Sequence, residues 1–145
     1  MQVNIDWLAE KLRIQALNKE QRGILATAFE SEFVLKDMPI IHQGTSVRSL
    51  YVLHSGSLRI VHKNNFHLAT LNKNSHSRTF GEMSFFGDEP ASADVYAEQP
   101  CEVYKITCEK FQWLMQNHAD IAMKLMAFVL RNMGEIIRSM DNSKH

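Results

Sequence analysis

Apolar positions change their spacing twice along the chain. Between Asp6 and about Leu17 they fall at Trp7, Leu8, Leu12 and Ile14, and after Asn18 a second set, Ile24, Leu25, Ala28 and Phe29, shares one helical face. Gln21 follows Asn18 at the spacing of a capping box, so the pattern predicts two short amphipathic helices. From Glu32 the apolar runs shorten and alternate with turn residues: Phe33–Leu35, Pro39–Ile41, Leu50–Leu53, Leu58–Val61, Phe66–Leu71, Ala93–Ala97 and Cys101–Ile106. Strands at this spacing predict a barrel or sandwich. Gly44 ends one of them, Ser55-Gly56 predicts a hairpin folding Leu50–His54 onto Ser57–Val61, and Asn64-Asn65 and Asn72–Ser75 read as turns. Thr107 stands at the N-cap of a helix through Phe111, Trp113, Leu114 and Met115, which Asn117-His118 interrupts. A longer helix is expected from about Ala119 to Met140, with Asp141–His145 as a frayed end.

The long helix is apolar at Ile121, Leu125, Val129, Met133, Ile136 and Met140, and Ala122, Met126, Phe128, Leu130 and Ile137 widen that stripe. A stripe broader than one packing contact predicts a second surface. Either a homodimer seam through Ile121, Leu125, Val129, Met133 and Ile136 or a lid over a ligand would use it; packing on the chain's own barrel is the plainer alternative.

Arg78–Val95 interrupts the strand pattern with a turn, a short helical turn and a loop. Phe80 and Met83–Phe86 can anchor it in a core, Gly81 frees the backbone at its entrance and Ser84 contributes a small side chain. Gly81-Glu82-Met83-Ser84 thus offers unobstructed backbone N–H groups that suit an anion. The plainer reading is two turns around a buried apolar plug.

Composition narrows the function. The 145 residues predict one domain, divided into N-terminal helices (1–31), a β-roll (32–106) with its cassette at 80–95, and C-terminal helices (107–140). Lys plus Arg equals Asp plus Glu at 16 each, so no global basic field draws the chain to nucleic acid or an anionic membrane. No apolar run approaches the ~18 residues of a spanning helix, and the start lacks a signal peptide's pattern, so the cytoplasm is expected. Cys101 and Cys108 fit neither a zinc knuckle nor a disulfide framework and read as reduced. His62, His67 and His76 form no His-x-His pair, which argues against a cupin metal site. Nucleophile-elbow, P-loop and dinucleotide fingerprints are all missing, and Asp88-Glu89 reads as a solvated pair. No catalysis, cofactor or metal is expected.

Two helices, a roll interrupted by an FGE cassette, then a short and a long helix: from about Leu17 to Ser139 this order resembles the cyclic nucleotide-binding domain of kinase regulatory subunits, ion channels and bacterial catabolite-activator-type regulators. Its carriers are Ile41-His-Gln-Gly44, Leu50–Ile60 and above all Phe80–Ala97. The resemblance implies a mainly β fold with flanking helices, an eight-stranded double-stranded β-helix (jelly roll) with N-terminal helices and a long C-terminal helix. It also implies ligand contacts at Gly81, Glu82, Met83, Ser84, Ala91, Ser92 and Ala93, with Gly81 opening the phosphate-binding helix and Glu82 accepting from a ribose 2′-hydroxyl. The family's phosphate-gripping Arg is replaced by Ala91, and Asp94 stands where Thr is common. Charge-assisted bonds to a buried phosphate contribute about 1.5–3 kcal/mol each, so the loss implies roughly hundredfold weaker phosphate recognition unless Arg78, Arg59 or Lys63 substitutes. Two functions follow. One is a regulatory sensor for cAMP, cGMP or a related ligand, held between cassette and long helix, whose binding shifts that helix against an unknown protein partner. The other is a degenerate domain serving as an interaction or dimerisation module. Direct DNA binding is not expected, because no helix-turn-helix follows the long helix.

Overall fold

In the computed structural model, which describes residues 3–14, 16–62, 68–75 and 77–143, the first helix is shorter than its apolar pattern suggests. It spans Ile5–Lys11 (α1), with Asn4 Oδ1 accepting the Trp7 N–H at 3.1 Å as its cap. Arg13 and Ala16 adopt positive φ (53° and 62°), which breaks the helical ladder, yet Leu12, Ile14 and Leu17 stay buried along the irregular connection. The second helix, Lys19–Ala28 (α2), opens on the expected capping box: Gln21 N–H donates to Asn18 Oδ1 (2.8 Å) and Asn18 N–H to Gln21 Oε1 (3.0 Å).

Among the described residues eight strands follow: β1 (Glu30–Val34), β2 (Pro39–Ile41), β3 (Ser49–Ser55), β4 (Leu58–Val61), β5 (Leu68–Leu71), β6 (Thr79–Phe80), β7 (Asp94–Ala97) and β8 (Cys101–Thr107). They form two four-stranded sheets with antiparallel pairing, β1-β8-β3-β6 and β2-β7-β4-β5, the jelly-roll arrangement expected. Inward-facing residues from both sheets, among them Val34, Ile41, Leu53, Leu58, Phe80, Val95 and Val103, make one core cluster. Each buried Leu there contributes about 1.5–3 kcal/mol of transfer free energy. The strand the periodicity missed is β6, whose two residues are too few to show a period; Tyr51↔Phe80 and Val52↔Thr79 register it against β3.

The Ser55-Gly56 hairpin does not form. β3 and β4 lie in different sheets, and Ser55–Ser57 is the corner between them. Gly56 has φ +96°, and a Cβ there would sit 2.5 Å from Pro100 O and 2.8 Å from Cys101 Sγ. Close approach by the strand after Pro100 makes a glycine necessary. The Asn72 turn is present, with Asn72 Oδ1 accepting the Asn74 N–H at 2.8 Å. Asn64-Asn65, Phe66, Lys63, His67 and His76 lie outside the described residues.

Between β6 and β7 runs the six-residue α3 (Glu82–Gly87); after β8 come α4 (Cys108–Asn117) and α5 (Ala119–Ser143). The break at His118 is where the sequence puts it, and α5 continues past Met140 through Ser143, so the expected frayed end is helical to that point. Contacts divide the chain into two compact units, one centred on Phe29–Cys108, the other combining Asn4–Ala28 with the chain from Glu109 onward. No helix among the described residues is long and apolar enough to cross a membrane.

α5 corrects the homodimer seam. Ile121, Leu125 and Val129 are buried within the chain itself, so a second copy has no access to them. Met133 is half-buried, and the Ile136 side chain lies outside the description.

Candidate functional site

Two pieces of the cassette, residues 81–84 and 91–94, are drawn together by the turn between β2 and β3. Gly44 N–H donates to Ala91 O and Ala91 N–H to Thr45 O, both at 2.8 Å. Gln43 N–H donates to Asp94 Oδ1 (2.7 Å), and Val47 N–H donates to Ser84 Oγ (3.0 Å). Four bonds from residues 43–47 thus fix both halves. No ligand contact is expected in this turn from the sequence, where Ile41-His-Gln-Gly44 marks it.

Phe80 holds the entrance by stacking on Tyr51, with ring centroids 4.9 Å apart and 9° between planes. Gly81 then takes the left-handed conformation (φ +84°), and a Cβ on it would stand 2.9 Å from Ser49 O. The chain therefore approaches β3 closely and turns at once into α3. Phe85 packs inward and meets Phe86 edge-on at 4.6 Å, so the short helix is anchored by its aromatic pair.

Glu82, the first residue of α3, is only 8% exposed, and its Oε2 has no hydrogen-bond partner. Burial raises its pKa above the ordinary carboxylate value, and a bond to its own backbone N–H offsets part of that. A buried acceptor in this state is rare in folded chains and suits a donor brought by a ligand.

The other expected contacts separate. Ser84 is buried, and its hydroxyl is used in bonding Val47. Met83 lies in α3, and its side chain is outside the description. Ala91 is half-buried against the roll core with both backbone groups paired to the 42–45 turn. Ala93 is buried, whereas Ser92 is exposed and its carbonyl faces His62 Nδ1 at 3.1 Å. Asp94, 2% exposed, accepts from Gln43 N–H and, at 3.3 Å, from the Tyr96 hydroxyl. This acid braces the loop from within. Asp88 and Glu89 are exposed, as a solvated pair should be.

Neither described cation weighed as a substitute for the missing Arg is aimed at the cassette. Arg78 donates to the Leu53 carbonyl (Nε, 2.8 Å) and the His54 carbonyl (Nη2, 2.6 Å), bracing β3, and burial lowers its pKa. Arg59 lies over the Tyr96 ring, 5.8 Å from its centroid, with Asp37 at 3.9 Å. Chemically, the cassette offers a buried carboxyl group with one oxygen, Glu82 Oε2, unpaired.

Comparison with known proteins agrees with this construction. The family model described as "Cyclic nucleotide-binding domain" matches residues 31–118. The cAMP-activated global transcriptional regulator CRP of Pasteurella multocida is 32% identical over 105 residues, which is 71% of this chain and 50% of that protein. The chain spans about half the length of the curated relatives it matches. Among solved structures, a cyclic nucleotide-binding domain from Methylobacillus flagellatus superposes with a TM-score of 0.78 at 16% identity, covering 96% of this chain and 84% of that one. The Thermus thermophilus catabolite activator protein gives 0.72 at 23% identity, covering 92% and 63%. At those identities the structures speak for the fold alone. A roll of this topology, interrupted by a Gly-Glu cassette and matched by the family model over most of its length, identifies the chain as a member of the cyclic nucleotide-binding domain family.

Proposed function

We propose that the chain is a non-catalytic regulatory module whose input is a small ligand seated at the 81–94 cassette, a cyclic nucleotide or a related compound, with weakened phosphate recognition. One observation carries this reading: the buried Glu82 Oε2 without a partner, at the position where the family receives a ribose hydroxyl. Ala91 in place of the Arg supports the weakening, roughly hundredfold relative to a site with two charge-assisted bonds. The two units serve as one regulatory domain, and two cysteines not joined in a disulfide support a place in the cytoplasm.

Calorimetric titration with cAMP, cGMP and the corresponding nucleosides tests it. Binding of any of them that is abolished in Glu82→Ala is the expected result. No heat and no thermal shift from the whole panel at millimolar ligand would sink the reading.

A second reading, an interaction or dimerisation module, is favoured by a specific feature of α5. Met123 (69% exposed) and Leu130 (58%) share a face with exposed Ala127 and half-buried Gly134. Spacings of four, three and four make a narrow apolar stripe of coiled-coil type. The seam for a second copy of the chain is this one, in place of the buried Ile121, Leu125 and Val129.

A further inference from the structure

Among the described residues, Glu82 Oε2 is the one buried side-chain oxygen with no hydrogen-bond partner. A ligand hydroxyl is a simple source of the donor that this oxygen lacks. The side chains expected to meet an anion are apolar or already engaged. Ala91 presents a methyl group, and its N–H is taken by Thr45 O. The Ser84 hydroxyl already receives the Val47 N–H, and Arg78 and Arg59 are engaged with carbonyls and with Tyr96 and Asp37. Asp94, three residues beyond Ala91 and 2% exposed, is committed to the Gln43 N–H and the Tyr96 hydroxyl and offers an anion no donor. A phosphate brought here would meet the Glu82 carboxyl group with Arg78 and Arg59 engaged elsewhere, while an uncharged hydroxyl would meet an acceptor.

We propose that the cassette takes an uncharged ligand with a vicinal diol, a ribonucleoside rather than its cyclic phosphate, whose hydroxyls donate to Glu82 beside an anion-free Ala91. This inference rests on the reading that the cassette is a ligand site, and it names the ligand's chemistry. In a ribonucleoside the 3′-hydroxyl is a donor; closing the cyclic phosphate removes that donor and adds a negative charge. Both changes run against this set of side chains.

The test titrates the full chain with adenosine, guanosine, 2′-deoxyadenosine, cAMP and cGMP under one buffer condition. A ribonucleoside should bind at least tenfold more tightly than its own cyclic phosphate and at least tenfold more tightly than the deoxy form. Glu82→Gln, checked for folding by its melting curve, should lose at least tenfold in nucleoside affinity. Because the deoxy comparison uses the unaltered protein, the diol requirement is tested even if the variant folds poorly. Ala91→Arg should raise cyclic nucleotide affinity at least tenfold. A cyclic nucleotide binding as tightly as its nucleoside would overturn this inference and leave the proposed function standing. Equal binding of adenosine and 2′-deoxyadenosine would overturn the diol. Silence from all five ligands at millimolar concentration would overturn the inference together with the function it rests on.

Discussion

Glu82 is buried with one carboxylate oxygen unpaired, and the desolvation that raises its pKa also acts on stability. Below the ordinary carboxylate pKa, about 4, folded and unfolded chains both carry the proton and no difference arises. As pH climbs through that value the unfolded chain ionises first, so the folded state loses stability until the raised folded pKa is passed. The deficit then persists at neutral pH. Glu82→Met, which removes the orphan acceptor and keeps the side-chain length, should therefore be the more stable protein at pH 7 by about 1 kcal/mol. The gap should close as pH falls toward about 4, read as the urea midpoint of both proteins across the range. An equal gap at both ends would assign the effect to packing instead of ionisation. Much of this was legible at the residue scale, because a Gly-Glu pair interrupting a strand pattern marks a turn and an acid at a helix start. The part that Ser84 and Asp94 play was not. Each is committed to a backbone N–H of the 43–47 turn some forty to fifty positions away, and no local pattern encodes such a partner.

Among the elements, two glycines show how the same substitution changes sign with its surroundings. Gly23 lies inside α2 with nothing within 4 Å of an added Cβ, so Gly23→Ala should stabilise the chain by about 0.5–1 kcal/mol through helix propensity. Gly56 holds φ +96° with Pro100 O 2.5 Å from the same atom, so Gly56→Ala should destabilise it by about 2 kcal/mol or more. Equilibrium denaturation of both variants in one buffer checks the pair. A Gly56→Ala protein as stable as its parent would show that the corner relaxes freely. Strand positions were legible because apolar runs bounded by Gly, Asn and Pro leave few alternatives. β2 and β4 fall on their expected residues, and β3, β7 and β8 differ by one or two at their ends. The route between sheets was not legible at Ser55-Gly56. A glycine turn states that the chain bends; whether the next strand joins the same sheet depends on β8 and β7, which arrive some forty residues later.

For the molecule as a whole, α5 decides between a solitary module and a paired one. Apolar residues cover so much of its circumference that periodicity gives the existence of an inner and an outer arc without saying which is which. In the structure, Ile121, Ala122, Leu125, Phe128, Val129 and Asn132 are buried, while Met123, Ala127 and Leu130 are exposed. At about 100° per residue these two sets lie on opposite sides of the helix. The inner arc must be filled by the chain's own residues for the helix to be stable, so an acid there is a folding defect: Leu125→Glu should abolish cooperative unfolding. The outer arc contributes nothing to folding while it faces water, so an acid there should leave the melting curve of a lone chain unchanged. If α5 pairs with a second copy, Leu130→Glu places two like charges across the seam and should convert a dimer to a monomer in sedimentation velocity, with Met123→Glu acting in the same direction. A wild-type chain that sediments as a monomer at its highest soluble concentration would remove the seam, and the exposed Met123 and Leu130 would then be ordinary surface apolar residues.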